Sequence, residues 1–299
     1  MSSVPPSPPG TPWVNRLCIV GVGLIGGSIG LAAKARGAAK HVVGVEKNSE
    51  TWAHALRVGA VDEITNDLVA GVRDADLVIL AVPVEVILEL LPRLAPLLKP
   101  HTVVMDVGSV KKAVVRAGKN ASPLAFIGSH PMAGGERGGV QNARADLFEG
   151  ATWAVVPPIN YIGDDIEYVS DFVTALGAKP LVMFDSAHDE AVALTSHLPH
   201  VLAYTLSAMR ANHSAGRQKH LLALSAGSWK SATRVAESPP ELWTQIAVQN
   251  APSLAALLRA FADELVTIAT ALETGDSATV QERFAAGHAA KLGEIEKQP

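Results

Sequence analysis

The sequence predicts an α/β fold, a Rossmann-like doubly wound parallel sheet followed by an all-helical dimerisation domain. Three observations carry that expectation. Short β-branched runs alternate with helical ones from Arg16 onward, a G-x-G-x-x-G stretch opens the first helix, and the chain after Phe184 reads as helix throughout.

The strands come first. "RLCIVG", "HVVGVE", "LVILAV" and "TVVMDV" are nearly continuous apolar runs, as expected for strands covered on both faces. "LIGGSIGLAAKARG" and "SETWAHALRVGA" between them have helical spacing and stop at glycine. Strand–helix–strand alternation implies right-handed crossovers and parallel pairing. The runs "LAFIGS", "TWAVVP" and "KPLVMF" are expected to extend the same sheet.

Beyond Phe184, "DSAHDEAVALTSHLPHVLAYTLSAMR", "PPELWTQIAVQNAPSLAALLRAFADELVTIATALE" and "SATVQERFAAGHAAKL" are rich in Ala and Leu. "ESPPE" reads as a helix start, with Ser238 at the cap, Pro239 in the first turn and Glu241 closing a capping box. Aliphatic residues fall on more than one side of these helices, so one face is left for a second copy of the chain, a homodimer.

The chain has 299 residues, of which 48% are hydrophobic and 18% charged, enough for two domains with a sizeable core. The expected division is a disordered tail over 1–15, a dinucleotide-binding domain over 16–184, and a helical substrate and dimerisation domain over 185–299. A net charge of -4 and a pI near 6.2 argue against nucleic-acid or anionic-membrane partners. "MSSVPPSPPGTP" lacks the basic start and apolar segment of a signal peptide. The longest apolar stretch, Leu77 to Leu98, is interrupted by charges and prolines and cannot cross a bilayer. The lone Cys18 sits in an apolar run and is expected to pack rather than react, which fits a soluble, cytoplasmic protein.

"IVGVGLIGGSIG" sets Gly21, Gly23 and Gly26 as G-x-G-x-x-G, with Leu24 and Ile25 as the intervening pair. The motif alone is weak. Here it follows a strand, opens a helix, and is joined by an acid, Glu46, at the tip of the second strand. A carboxylate there accepts from ribose hydroxyls and repels a 2′-phosphate, favouring NAD over NADP, although Lys47 beside it could pair with a phosphate. Ala81, Val82 and Pro83 end the next strand on the same edge and should border the cofactor.

Two further segments reach that edge. "DVGSVKKAV" places Ser109 at the start of a helix, and "GSHPMAGGERGG" places His130 on a glycine-rich loop. An imidazole there can take a proton from a substrate hydroxyl as hydride leaves its carbon. A loop histidine can equally be structural. No metal is expected: His188, His197 and His200 lack an i, i+4 pair and an acidic partner pattern.

The stretches "GVGLIGGSIGLAAK", "DVGSVK", "GSHPMAGGERGG", "SHLPH" and "TRVAESPPELW" resemble, in order and over nearly the whole chain from Arg16, the prephenate and arogenate dehydrogenases of the TyrA family. The resemblance implies NAD(P)-dependent oxidative decarboxylation of a cyclohexadienol in tyrosine biosynthesis. It implies His130 as the group that polarises the ring hydroxyl, and Ser109 as a hydrogen-bonding partner near that hydroxyl and the nicotinamide. It implies substrate contacts at His200, at His197, at Arg234 through a carboxylate, and at Trp243 lining the pocket or the domain interface. Glu136 is implied as a gate or loop anchor. Gly135 departs from the family, which commonly carries a small polar residue there.

Each residue has a plainer reading. His197 and His200 could fill polar core positions, Arg234 could be a surface ion-pair residue, and Trp229 and Trp243 could pack. The alternative enzyme is a β-hydroxyacid dehydrogenase, for which Lys230 is the only notable catalytic lysine and "GSHPMAG" has no role. The alternative outside enzymes is a regulator that senses NAD without turnover.

Overall fold

The computed structural model describes residues 14–121, 123–135 and 137–296. Most of the tail expected over 1–15 lies outside the described residues. Val14 and Asn15, its last two residues, are already in the first strand, β1 (Val14–Val20). The remaining strands are β2 (Ala39–Val45), β3 (Glu63–Thr65), β4 (Leu77–Leu80), β5 (Val103–Asp106), β6 (Ala125–Pro131), β7 (Thr152–Val156) and β8 (Lys179–Val182).

They form one eight-stranded sheet in the order β3-β2-β1-β4-β5-β6-β7-β8. Pairing is parallel from β3 through β6, and β7 and β8 pair parallel with each other. One junction differs from the all-parallel expectation. β7 runs antiparallel to β6, with His130 opposite Ala154. The chain between them returns through a loop and a short turn rather than a crossover helix, so β7 can enter from the opposite end. β3 was not foreseen; three residues, none of them fully buried, give little apolar signal.

The helices packed on the sheet are α1 (Leu24–Ala35), α2 (Ser49–Arg57), α3 (Leu68–Val72), α4 (Val84–Leu94), α5 (Lys112–Asn120) and α6 (Asp165–Ala175). Alternate residues of β1 serve opposite faces. Leu17 and Ile19 pack with Ile29 of α1 and Phe172 of α6, while Cys18 and Val20 pack with Ile87 of α4 and Val114 of α5. Burial pushes the Cys18 thiol up to about 12, so it stays a thiol and fills core space.

After Phe184 the chain is helical, as expected: α7 (Asp185–Val192), α8 (Leu198–Ala211), α9 (Ala215–Ala223), α10 (Gly227–Thr233), α11 (Pro240–Gln249), α12 (Ala251–Thr274) and α13 (Ser277–Glu296). The long run from Pro239 is broken at Asn250 into α11 and α12. The expected capping box does not form. Pro239 occupies the cap of α11, one residue later than expected, and no side chain caps the helix. Without an N–H on Pro239 or Pro240, the first turn has fewer donors for a capping side chain to satisfy. The Ser238 carbonyl instead accepts from the Tyr204 hydroxyl at 2.7 Å. By compactness the chain divides into one unit ending at Asn250 and another starting at Ala251. The second unit is the α12–α13 hairpin, in which Arg283 pairs with Glu264 at 3.4 Å.

Candidate active site

The site is built on the edge where the parallel strands end, the usual ligand edge of such a sheet. Gly21 follows β1 with φ +95°, a conformation that side chains resist, and a Cβ there would strike the Ala81 carbonyl and Val82. Ala81 and Val82 therefore lie against the glycine turn. A Cβ on Gly26 would strike the Gly21 carbonyl and Ile19, whereas one on Gly23 would meet nothing within 4 Å. Two glycines thus serve packing and the middle one faces open space at the N-terminus of α1, where Leu24 and Ile25 begin the helix. That arrangement fits a pyrophosphate.

Glu46 caps the tip of β2. Its carboxylate accepts from the backbone of Val22 at 3.1 Å and of Asn48 at 2.9 Å, while its carbonyl accepts from the Trp52 indole at 2.9 Å. The acid is therefore tied to the glycine turn, which is where a ribose would sit.

β5 and β6 end in a buried polar knot. Lys111, Asp106 and Ser129 are fully buried. The Lys111 ammonium pairs with Asp106 and donates to the Ser129 carbonyl at 2.8 Å. Asp106 also accepts from the backbone of Ser129 at 2.9 Å and Gly108 at 2.7 Å. A buried pair needs such additional bonds to offset its desolvation, and here they lock the backbone on either side of Ser109 and before His130. Ser109 is half-buried, three residues ahead of α5 rather than at its start, and makes no side-chain hydrogen bond among the described residues.

His130 lies within β6, not on the loop that follows, because antiparallel pairing with β7 extends the strand through Pro131. Its Nδ1 is 2.9 Å from Nε2 of His188, and Nδ1 of His188 is 2.8 Å from the Asp189 carboxylate. Asp189 also accepts from the backbone of Lys111 at 2.7 Å and Lys112 at 2.9 Å. Burial works to raise its carboxyl, but the bonds from His188, Lys112 and Lys111 prevail and hold it below its usual range. An ionised Asp189 can only accept, so His188 donates from Nδ1 and accepts at Nε2. His130 then donates from Nδ1, leaving a lone pair on Nε2. Burial first, then the neighbouring His188, Lys111 and His197, pushes His130 well below 6.5, so this base is neutral at neutral pH.

The residues of α7 through α11 complete the surroundings. A π-helical turn, Ala193–His197, joins α7 to α8, an irregularity often found at functional sites. His197 is buried and shares the Asn250 amide (3.2 Å), which also donates to the Asp189 carbonyl at 2.7 Å. Burial brings His197 down to about 4. His197 thus supports the buried network rather than facing open space. His200 donates from Nδ1 to the Ser196 carbonyl at 2.9 Å and stacks on Trp243 with ring centroids 3.3 Å apart, so its Nε2 is an acceptor. Trp243 also packs against the core face that carries Cys18 and Val20. Trp229 lies under the Arg210 guanidinium at 5.4 Å. Arg234 is exposed and lines a cavity of about 440 Å³ together with Leu24 and Gly135. Glu136 lies outside the described residues. The relay residues His188 and Asp189, with Lys111 and Asn250, are not among the expected site residues; the adjacent "HD" of α7 was the available signal. No cluster of metal-ligating side chains occurs among the described residues.

This geometry coincides with the comparisons. The prephenate dehydrogenase nucleotide-binding domain matches residues 29–182, and the prephenate dehydrogenase dimerization domain matches residues 185–286. A cyclohexadienyl dehydrogenase of Zymomonas mobilis is 35% identical over 93% of this chain and 95% of its own length. A prephenate dehydrogenase of A. aeolicus, solved with hydroxyphenyl propionate and NAD+, superposes with a TM-score of 0.85 at 28% identity, covering 94% of this chain and 98% of that one. An arogenate dehydrogenase of Synechocystis gives 0.79 at 28% identity, over 93% and 99%. Neither the β-hydroxyacid dehydrogenase reading nor the regulator reading accounts for two matched domains and an ordered base: the chain belongs to the prephenate dehydrogenase family.

Proposed function

We infer that the chain oxidatively decarboxylates a cyclohexadienol, prephenate or arogenate, with NAD rather than NADP as hydride acceptor. The observation that carries the reading is His130 near the end of β6, on the ligand edge of the sheet, with its Nδ1 held by His188 and Asp189.

The chemistry follows from those residues. A bound nicotinamide supplies the hydride acceptor. His130 Nε2 accepts the hydrogen bond of the ring hydroxyl and takes its proton as the C–O bond becomes a carbonyl. The positive charge that forms on His130 is stabilised through His188 by the Asp189 carboxylate, without transfer of a proton to Asp189. Loss of carbon dioxide from the ring then leaves its bonding electrons in the ring, which becomes aromatic. Ser109 is assigned to the hydroxyl side of the site, His200 and Trp243 to the substrate's ring or side chain, and Arg234 to a carboxylate that its planar fork can grip. Glu136 keeps its expected role near the loop.

Glu46, already tied to the glycine turn, supports NAD because a 2′-phosphate beside it meets a like charge. We place the boundary between the nucleotide-binding and helical parts at Phe184–Asp185, where the last strand gives way to α7. The dimerization-domain match and the exposed Leu265, Val266, Leu272 and Phe284 on α12 and α13 support a homodimer. Among the described residues no helix is long and apolar enough to cross a membrane. With one buried cysteine, we assign the chain to the cytoplasm.

A spectrophotometric assay of purified protein with prephenate or arogenate and NAD tests the reading. Turnover is expected with at least one substrate, and His130→Asn should lose about 10²-fold or more in kcat. No turnover of either substrate by the wild type overturns it.

A further inference from the structure

The cavity that holds Arg234 has a charge pattern that the reaction itself does not require. Three guanidiniums line it, Arg137, Arg144 and Arg234, against one carboxylate, Glu237. Three positive charges less one negative leaves two positive among the described lining residues. The uncharged wall is Leu24 at the start of α1, Asn142, Leu147 and the glycine backbone at Gly134 and Gly135.

We propose that Arg137 and Arg144 are specificity-determining residues that bind the side-chain carboxylate of the substrate and select the keto acid, prephenate, over the amino acid, arogenate. The proposal rests on the reading of the reaction given above and on Arg234 taking the ring carboxylate. Both substrates carry two carboxylates, but arogenate adds an ammonium next to the side-chain carboxylate. Two guanidiniums at that end attract the carboxylate of either substrate and repel the ammonium of one, so discrimination includes a repulsive element.

Both side chains are available for that contact. Arg137 has no ion-pair partner among the described residues. Arg144 pairs with Asp146 at 3.1 Å, but their side chains are 59% and 58% exposed, and a pair so open to water is readily exchanged for a ligand carboxylate. The Arg144 backbone is fixed independently, donating to the Ser28 hydroxyl of α1 at 3.0 Å. The loop also leaves room. A Cβ on Gly134 would meet nothing within 4 Å, and one on Gly135 would touch only Leu24 at 3.6 Å. Both arginines belong to the β6–β7 connection that follows His130, so one segment carries the base and the side-chain selector.

The test is steady-state kinetics of the full-length chain with each substrate at saturating NAD. The wild type should favour prephenate in kcat/KM. The double variant Arg137→Ala/Arg144→Ala should lose about 10- to 100-fold on prephenate, mainly through KM. Its loss on arogenate should be smaller by about tenfold, because removing the guanidiniums also removes the repulsion of the ammonium. The double change to Lys should keep the preference, and the double change to Glu should reverse it. A wild type that favours arogenate, or a substrate ratio that stays constant across the Ala, Lys and Glu variants, overturns the proposal while leaving the reaction itself standing. A wild type that turns over neither substrate instead removes the reading on which it rests.

Discussion

Nδ1 of His130 lies 2.9 Å from Nε2 of His188, and this contact decides what His130 can do. With Asp189 accepting from the far side of His188, the only consistent assignment leaves Nε2 of His130 as the acceptor. The order His–His–Asp spans from β6 to α7, so the base is oriented by a helix outside the sheet.

His188 is therefore a positioning residue. His188→Asn has too short a side chain to hold both partners, and kcat should fall by about tenfold or more as His130 samples the wrong tautomer. The pH profile separates this role from a purely structural one. Protonated His130 is inactive, so the acid limb of kcat/KM in the wild type lies below pH 6.5. Burial, the first cause of that depression, remains in the variant, while the stabilisation of the His130 imidazolium through His188 and Asp189 is lost, so the limb should move further down. A lower kcat with an unmoved acid limb would count against the relay.

Folding stability should respond to the same buried imidazoles. His197 is neutral in the fold, with its pKa brought down by burial to about 4, whereas in the unfolded chain it takes up a proton near 6.5. The sign is fixed by linkage: the stabilisation is full above pH 6.5 and is lost as pH falls from there toward about 4. The loss from this group should not exceed about 3 kcal/mol. Thermal unfolding at pH 7 and pH 5 should show the decline, and His197→Asn should flatten it. An equal pH dependence in wild type and variant would remove His197 as its source.

The fold was largely legible because its evidence is local. Apolar run lengths, glycine stops and the position of Glu46 after β2 need only nearby residues, and they fix strands, helices and the nucleotide edge. What could not be read depends on contacts between distant segments. The antiparallel entry of β7 depends on where a long connection returns, which run length does not encode. His188 and Asp189 gain their meaning from Lys111 and His130, many residues earlier, and Asn250 joins them from the end of α11. The capping box failed for a local reason that was visible: two adjacent prolines displace the helix start.

Glu46 gives a cofactor prediction. Its carboxylate already accepts two backbone N–H groups, so it is held in place before any ribose arrives. kcat/KM should be higher with NAD than with NADP. Glu46→Ser should narrow the gap by removing the like charge opposite a 2′-phosphate, with the exposed Lys47 then free to act on that phosphate. Higher kcat/KM with NADP in the wild type would contradict the assignment.

Gly135 offers a change that the fold should accept and the site should notice. It is not among the glycines with positive φ, and a Cβ there makes only an ordinary contact, 3.6 Å from Leu24. Gly135→Thr should therefore fold as well as the wild type or gain up to about 1 kcal/mol, since the unfolded chain loses freedom that glycine allowed. Gly26 is the opposite case: a Cβ there strikes the Gly21 carbonyl, so Gly26→Ala should distort the turn and weaken NAD binding. The threonine at 135 adds a hydroxyl to the wall shared by Leu24 and Arg234, where this chain presents bare backbone. KM for the substrate should change while the Kd for NAD stays within about twofold, because the neighbour it touches, Leu24, is a side chain that can shift by a small rotation. Measured by isothermal titration with NAD and by initial rates with substrate, an unchanged KM would mean that residue 135 does not face the substrate at all.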